Sequence, residues 1–315
     1  RQKLSKAAFT TDLQLKDYLK IMATLPKTVD RIVLCGGGEP LLFRDIGILL
    51  EAIKKENKEG HVITNGTRLT PELTDLLIRS NWDALYISVN AATKSVYKVI
   101  NGADNYDLVL GNIKHVVSRK KKGALPKIGL SFCVQKGNYK EIIPFFKLAV
   151  SLRVNEVFYG PLSPFDLTLK TRSILALDND ERLEAIEILN KAEQLANKYP
   201  HIENNIAAIR SVYQEHPHFN FQNPNQSYWE IRHCNLVQHN MDISPDGDIK
   251  PCGYGYQLKE DFHLGMNIKK IKIEDIWQSK KYKDFRKRLN KGDFYPACHK
   301  YCTFFIAKTK KASPM

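Results

Sequence analysis

Gly36-Gly37-Gly38-Glu39-Pro40 follows directly on the apolar run Arg31-Ile32-Val33-Leu34-Cys35. Glycines in series let a ligand approach the backbone closely and leave amide N–H groups able to donate. A carboxylate on the same loop can pair with a ligand ammonium. The same residues also read as an ordinary strand-to-helix turn capped by a glutamate, and the loop alone does not decide between the two. A second group is Cys234, Cys252, Cys298 and Cys302, which fall together near the end of the chain. Four thiolates can make a tetrahedral zinc site or hold one [4Fe–4S] cluster. Zinc sites favour two short Cys pairs, and only Cys298 and Cys302 are close here, but spacing does not separate the two metals. His299, between them, reads as a surface histidine. Cys35 and Cys133 lie in apolar strand-like runs and read as small buried hydrophobes.

The elements that must position these residues alternate between two periods. Leu15, Tyr18, Leu19, Met22 and Leu25 form a helical stripe ahead of the first strand, 31–35. Ile46, Leu49, Leu50 and Ile53 form a helix, and 61–64 a strand. Leu73, Leu76 and Leu77 mark the next helix, and 85–89 the next strand. Tyr106, Val109, Leu110, Ile113, Val116 and Val117 give the strongest stripe. Strands at 128–132 and 156–159 flank a helix at Ile142, Phe145, Phe146 and Ala149. Continuous apolar strands separated by amphipathic helices predict a parallel sheet with helices outside it, as a barrel or a doubly wound sheet. Periodicity fails between Pro161 and Asp178. A helix with Leu183, Ile186, Leu189 and Leu195 on one face follows, then a polar linker from His216 to Ser227. Asp246-Gly247 between short alternating flanks predicts a hairpin that draws Cys234 and Cys252 together, and a basic helix spans 279–288.

The 315 residues carry a net charge of +14, with 43% hydrophobic and 26% charged side chains. That composition supports a real core and excludes a disordered or fibrous chain. No apolar run reaches the roughly 18–20 residues of a membrane helix, and the first ten residues lack the apolar block of a signal peptide. The lysine runs at 120–122 and 308–311 have no interleaved aromatics and read as solvated faces, which disfavours nucleic acid.

Val33 to Leu42, with Gly36-Gly37-Gly38-Glu39-Pro40 at its centre, resembles the GGEP motif of the radical S-adenosylmethionine (radical SAM) superfamily. Ile63-Thr64-Asn65-Gly66-Thr67 resembles the family's TNG turn. Tyr86-Ile87-Ser88-Val89-Asn90-Ala91-Ala92 is similar to its Ile-Ser-x-Asp-Ala segment, with Asn90 where Asp is usual. All three fall at the carboxyl ends of successive predicted strands, where α/β barrels build ligand sites. The order of Cys234, the hairpin, Cys252, Cys298 and Cys302 resembles the SPASM/twitch auxiliary-cluster domain, in its shorter form with one cluster.

The resemblance implies a partial (β/α)6 barrel lacking its first strand over 1–165, a helical linker region over 166–230 and an α+β auxiliary-cluster domain over 231–315. It implies that Gly37, Gly38, Glu39, Thr64, Asn65, Ser88 and Asn90 bind S-adenosylmethionine, with Glu39 and the glycines on the amino group of its methionine part. Cys234, Cys252, Cys298 and Cys302 would hold an auxiliary [4Fe–4S] cluster. The family's CxxxCxxC motif, which holds the catalytic [4Fe–4S] cluster, does not occur in these residues. The expectation is that it lies upstream of Arg1, by truncation rather than degeneracy. The implied protein is a cytoplasmic oxidoreductase or maturase. It would cleave S-adenosylmethionine to a 5′-deoxyadenosyl radical that abstracts a substrate hydrogen. Its partners would be a small-molecule or peptide substrate and an electron donor such as flavodoxin or ferredoxin. The rival reading is a non-catalytic binding protein with a structural zinc and a basic partner surface.

Overall fold

In the computed structural model the described residues are 12–36, 38–121, 124–162, 171–173, 176–215, 234–253, 264–295 and 298. The polar linker, Gly37, Cys302 and the 308–311 lysines lie outside them. The chain divides into two compact units. The first comprises Arg1–Ile32, Ile48–Glu59 and Phe221–Phe305, and the second Val33–Gly47, Gly60–Asn220 and Ile306–Met315.

Strands β1 (Arg31–Leu34), β2 (Glu59–Thr64), β3 (Ala84–Ser88), β4 (Lys127–Val134), β5 (Glu156–Pro161) and β6 (Glu203–Asn204) form one sheet in sequence order. The pairs from β2 to β6 are parallel, with Ile63 opposite Tyr86, Tyr86 opposite Gly129 and Gly129 opposite Glu156. Helices α1 (Leu15–Ala23), α2 (Ile46–Lys55), α3 (Pro71–Arg79), α4 (Lys94–Asn101), α5 (Tyr106–Arg119), α6 (Ile142–Leu152), α7 (Asn179–Ala196) and α8 (Ile206–Glu215) alternate with or follow the strands. This is the partial β/α barrel architecture that the alternating periods and the motifs implied. The two-residue β6 adds a sixth strand inside the segment read as helical linker. It is too short to leave a period in sequence.

Local chemistry sets the boundaries. Thr70 accepts from the Leu73 N–H, and Pro71 opens α3 where its missing N–H costs nothing. Thr93 caps α4, which Gly102 ends in the left-handed region at φ 63°. Asp178 and Glu181 form a reciprocal capping box on α7. On β4 the residues Ile128, Leu130, Phe132 and Val134 are fully buried. Phe132 stacks obliquely on Phe145 of α6 and Tyr159 of β5, with ring centroids 4.6 and 5.6 Å away. The opposite face carries small residues. A Cβ at Gly129 would lie 2.5 Å from the Tyr86 ring, so the tyrosine can lie flat over β4 only because no side chain stands there.

Three expectations need correction. On α7 the buried residues are Ala185, Leu189, Ala192 and Ala196, and Leu183 is 61% exposed. Close helix packing selects the alanine stripe over the bulkier one. On α1 the buried residues are Ile21 and Met22, and Leu19 turns outward. Cys35 is exposed rather than buried, because β1 is an edge strand without the double cover of β3 and β4.

The other unit contains a hairpin of β7 (Asp242–Ile243) and β8 (Ile249–Lys250), with Gly247 at φ 89° in its turn. Helices α9 (Leu236–His239), α10 (Ile273–Gln278) and α11 (Lys280–Asn290) accompany it. Among the described residues no helix is long and apolar enough to cross a membrane.

Candidate cofactor-binding edge and auxiliary thiols

The loops after β1 and β2 are joined through one carboxylate. Glu39 Oε1 accepts from the Thr64 hydroxyl at 2.5 Å and from the Leu41 N–H at 3.1 Å, and Oε2 accepts from the Asn65 N–H at 2.7 Å. Hydrogen bonds to an ionised acceptor are the strong class. The Thr64 oxygen also accepts from the Gly66 N–H, and Asn65 Oδ1 accepts from the Thr67 N–H and hydroxyl. Gly66 sits at φ 75°, and a Cβ there would meet Ile87 Cγ2 at 2.8 Å, so this turn requires glycine twice over. On the loop itself, Cβ atoms at Gly36 or Gly38 would meet nothing within 4 Å. The backbone there borders open space while the side chain of Glu39 is turned inward. Both Glu39 oxygens are thus engaged by the chain's own donors, which differs from a glutamate held ready for a ligand ammonium.

The edge after β3 is fixed in the same manner, by Asn90 together with residues the motifs did not flag. Asn90 has φ 62°, a conformation asparagine tolerates better than most side chains. Its Oδ1 accepts from the Cys133 N–H at 2.8 Å and its amide donates to Asn101 Oδ1 at 3.0 Å. Asn138 donates to the Asn90 and Cys133 carbonyls. Glu141 is buried, and its carboxylate accepts from the Ala92 N–H at 2.7 Å and the Thr93 hydroxyl at 2.5 Å. Tyr106 donates its hydroxyl to the Ala92 carbonyl. Glu141 and Asn138 lie some 50 residues beyond the segment they support, so no local pattern exposed them.

Ser88 stands opposite Ser131 in the parallel register. Neither hydroxyl makes a side-chain hydrogen bond among the described residues. Cys133 is half-buried on the same face of β4 as Ser131. Burial pushes its thiol up to about 11, against a smaller opposing pull from Arg172. The edge therefore presents a glycine backbone, two open hydroxyls and an inert thiol, on loops pinned from behind.

In the hairpin-bearing unit Cys252 is buried, and Cys234 and Cys298 are half-buried. The Cys234 N–H donates to the Leu289 carbonyl of α11. Four thiols are the right donor set for an iron–sulfur cluster. Among the described residues, however, no three His, Cys, Asp or Glu side chains are gathered closely enough to hold a metal, and Cys302 falls outside them.

A parallel sheet with open glycine loops at its carboxyl edge defines an α/β ligand-binding protein of the barrel type. Residues 6–149 match the Radical SAM superfamily, and residues 234–303 match the SPASM family, an iron–sulfur cluster-binding domain. The chain therefore carries a radical SAM domain and a SPASM domain, and the cofactors of those families are S-adenosylmethionine and [4Fe–4S] clusters. The chain is 22% identical, over 91% of its length and 78% of the relative's, to a tungsten-containing aldehyde ferredoxin oxidoreductase cofactor-modifying protein of Pyrococcus furiosus. It is 30% identical over 155 residues to a probable GTP 3′,8-cyclase of Saccharolobus solfataricus, covering 49% of each chain. Among solved structures, Streptococcus suis SuiB bound to precursor peptide SuiA aligns with TM-score 0.62 and 16% identity, over 86% of this chain and 59% of that one. Native anSMEcpe with bound AdoMet aligns with TM-score 0.62 and 14% identity, over 94% and 79%. The chain thus spans about half the length of the cyclase and about three fifths of SuiB.

Proposed function

We propose that this chain is the cofactor-binding and auxiliary-cluster part of a radical SAM oxidoreductase or maturase. The observation that carries the reading is the Glu39 bridge, which locks the Gly-rich loop to the Thr64–Thr67 turn and leaves the Gly36 and Gly38 backbone open. When bound with its cluster, S-adenosylmethionine supplies a 5′-deoxyadenosyl radical that abstracts a substrate hydrogen. The chain's own residues hold and orient the cofactor. Glu39 acts as a positioning residue, and the Gly37 and Gly38 backbone takes the methionine end. Thr64 and Asn65 fix the adjoining turn, while Ser88 and Asn90 line the neighbouring strand end, the serine with an open hydroxyl and the asparagine as a corner post. Cys234, Cys252, Cys298 and Cys302 hold the auxiliary cluster. The domain limits 1–165, 166–230 and 231–315 go with this reading, as does a cytoplasmic location, since clustered thiolates persist in a reducing compartment. The substrate is a peptide or a small molecule, and a flavodoxin or ferredoxin supplies the electron.

Two measurements test the proposal. Glu39→Ala should weaken S-adenosylmethionine binding in equilibrium dialysis by about tenfold, whereas Glu39→Gln, which keeps a carbonyl acceptor, should lose about threefold or less. Equal loss in both variants would show that the charge itself meets the ligand, and no loss in either would remove Glu39 from the site. Protein purified without oxygen should contain iron and acid-labile sulfide. Zinc without sulfide would instead establish the structural-zinc reading.

A further inference from the structure

The unit that holds the hairpin also holds a pocket outside every motif. It lies between α1 and the turn that precedes α10, and is lined by Asp17, Lys20, Ile21 and Thr24 on one side and residues 268–272 on the other. Ile21 and Ile268 are buried beneath it and Ile271 is 37% exposed, which gives it an aliphatic floor. Its rim carries Lys20, Lys269, Lys270 and Lys272, all exposed. Lys20, Lys270 and Lys272 make no ion pair among the described residues. The surrounding sequence is predominantly basic, with ten Lys and Arg against four Asp and Glu between 264 and 295.

Both walls hang from the same hairpin. The Leu13 N–H, just ahead of α1, donates to the Pro245 carbonyl at 2.6 Å. On the other wall Asn267 donates to the Asp246 carbonyl and the Asp248 carboxylate, and accepts from the Lys269 N–H. The Ile268 N–H reaches the Gly247 carbonyl at 2.8 Å. A Cβ at Gly247 would strike Asn267 Oδ1 at 2.9 Å, so the turn and the wall are fitted to each other. The lysines therefore project from a pre-organised frame, and binding there need not first order two loose loops.

We propose that this pocket docks an acidic polypeptide segment, its carboxylates on the lysine rim and an apolar side chain on the isoleucine floor. Two features select a peptide over nucleic acid. The lining has no aromatic ring on which a base could stack. Asp17 stands in the rim with Oδ2 on the Gln14 N–H, which leaves Oδ1 able to accept a peptide N–H, a donor that a phosphate backbone lacks. A small inorganic anion would have no use for the aliphatic floor. The inference is independent of the cofactor edge, since it requires neither S-adenosylmethionine nor a cluster.

The test uses the whole chain and a short fluorescein-labelled peptide of alternating Glu and Leu, read by fluorescence anisotropy. Binding should weaken about tenfold or more in the K20E/K270E/K272E variant and fall as salt rises, as expected for steered charge pairs. A Glu–Ser peptide should bind more weakly than Glu–Leu, and Ile271→Ser should erase that difference while leaving the fold intact by circular dichroism. The proposal is overturned if the reversed variant binds as the parent does, or if Glu–Ser and Glu–Leu bind alike. Tighter binding of a single-stranded oligonucleotide, lost in the same variant, would also overturn it. So would concentration-dependent self-association abolished by the three reversals.

Discussion

The two edges of the sheet differ in whether charged side chains pair with one another. At the carboxyl edge, acceptors that are half-buried or buried reach back to backbone N–H groups: Glu39 to the turn after β2, Asn90 to β4 and Glu141 to the loop after β3. At the amino edge Asp83 and Asn155 likewise accept from the Gly60 and Ile128 N–H groups, but charged side chains also pair with one another. Lys127 meets Glu156 at 3.1 Å and Glu203 at 2.6 Å, and the Tyr86 hydroxyl donates to Glu156 at 3.1 Å. Burial and the neighbouring Glu156 push that phenol up to about 12. A carboxylate that satisfies backbone donors fixes a loop's path and leaves the loop's outer face open. A network that neutralises itself closes an end and offers nothing to a ligand. The comparison accounts for the open glycine backbone at the carboxyl edge.

The largest expected effect concerns Cys133 at the carboxyl edge. With a thiol at about 11, against an ordinary value of roughly 8.5, its thiolate fraction at pH 8 falls by about two orders of magnitude. Iodoacetamide labelling followed by peptide mass mapping should therefore modify the exposed Cys35 far ahead of Cys133. Labelling of Cys133 should speed up as pH rises toward 11, where its thiol gains thiolate. Comparable rates at pH 8 would mean that the edge is solvated. Next is Glu141→Ala, which strips a buried acceptor from the Ala92 N–H and the Thr93 hydroxyl and should cost about 2–3 kcal/mol in urea unfolding. Glu141→Gln should recover a good part of that loss. The smallest is Lys127→Met at the amino edge. Its side chain is 32% exposed and its partner Glu203 is 68% exposed, so the loss should stay below about 1 kcal/mol and shrink in high salt. A larger loss than Glu141→Ala would reverse the ranking of the two edges.

Legibility followed the range over which each feature is encoded. Strands β1 to β5 and the stripes of α5 and α6 show in sequence because period and burial are local: Ile142, Phe145, Phe146 and Ala149 are buried as their spacing predicts. The Gly-rich loop and the Thr64–Thr67 turn are legible because glycine marks them. Glu141, Asn138 and Asn101 left no signal, since polar residues on a helix or loop look alike until a partner distant in sequence is brought to them. The buried alanine face of α7 was masked by leucines for a related reason. Hydrophobicity scores the larger residue, whereas close packing against a neighbouring helix selects the smaller one.

By itself the sequence determined the alternation of strand and helix, the three loop motifs at the strand ends and the four late cysteines, because period, glycine and residue type are properties of neighbours along the chain. Tertiary structure alone decided that Glu39 faces inward to tie two loops, that Asn90 is a corner post and that four lysines share one aliphatic pocket. Those outcomes depend on which donors, acceptors and charges the fold brings within a few ångströms, and hydrogen bonds and charge pairs act only over that distance.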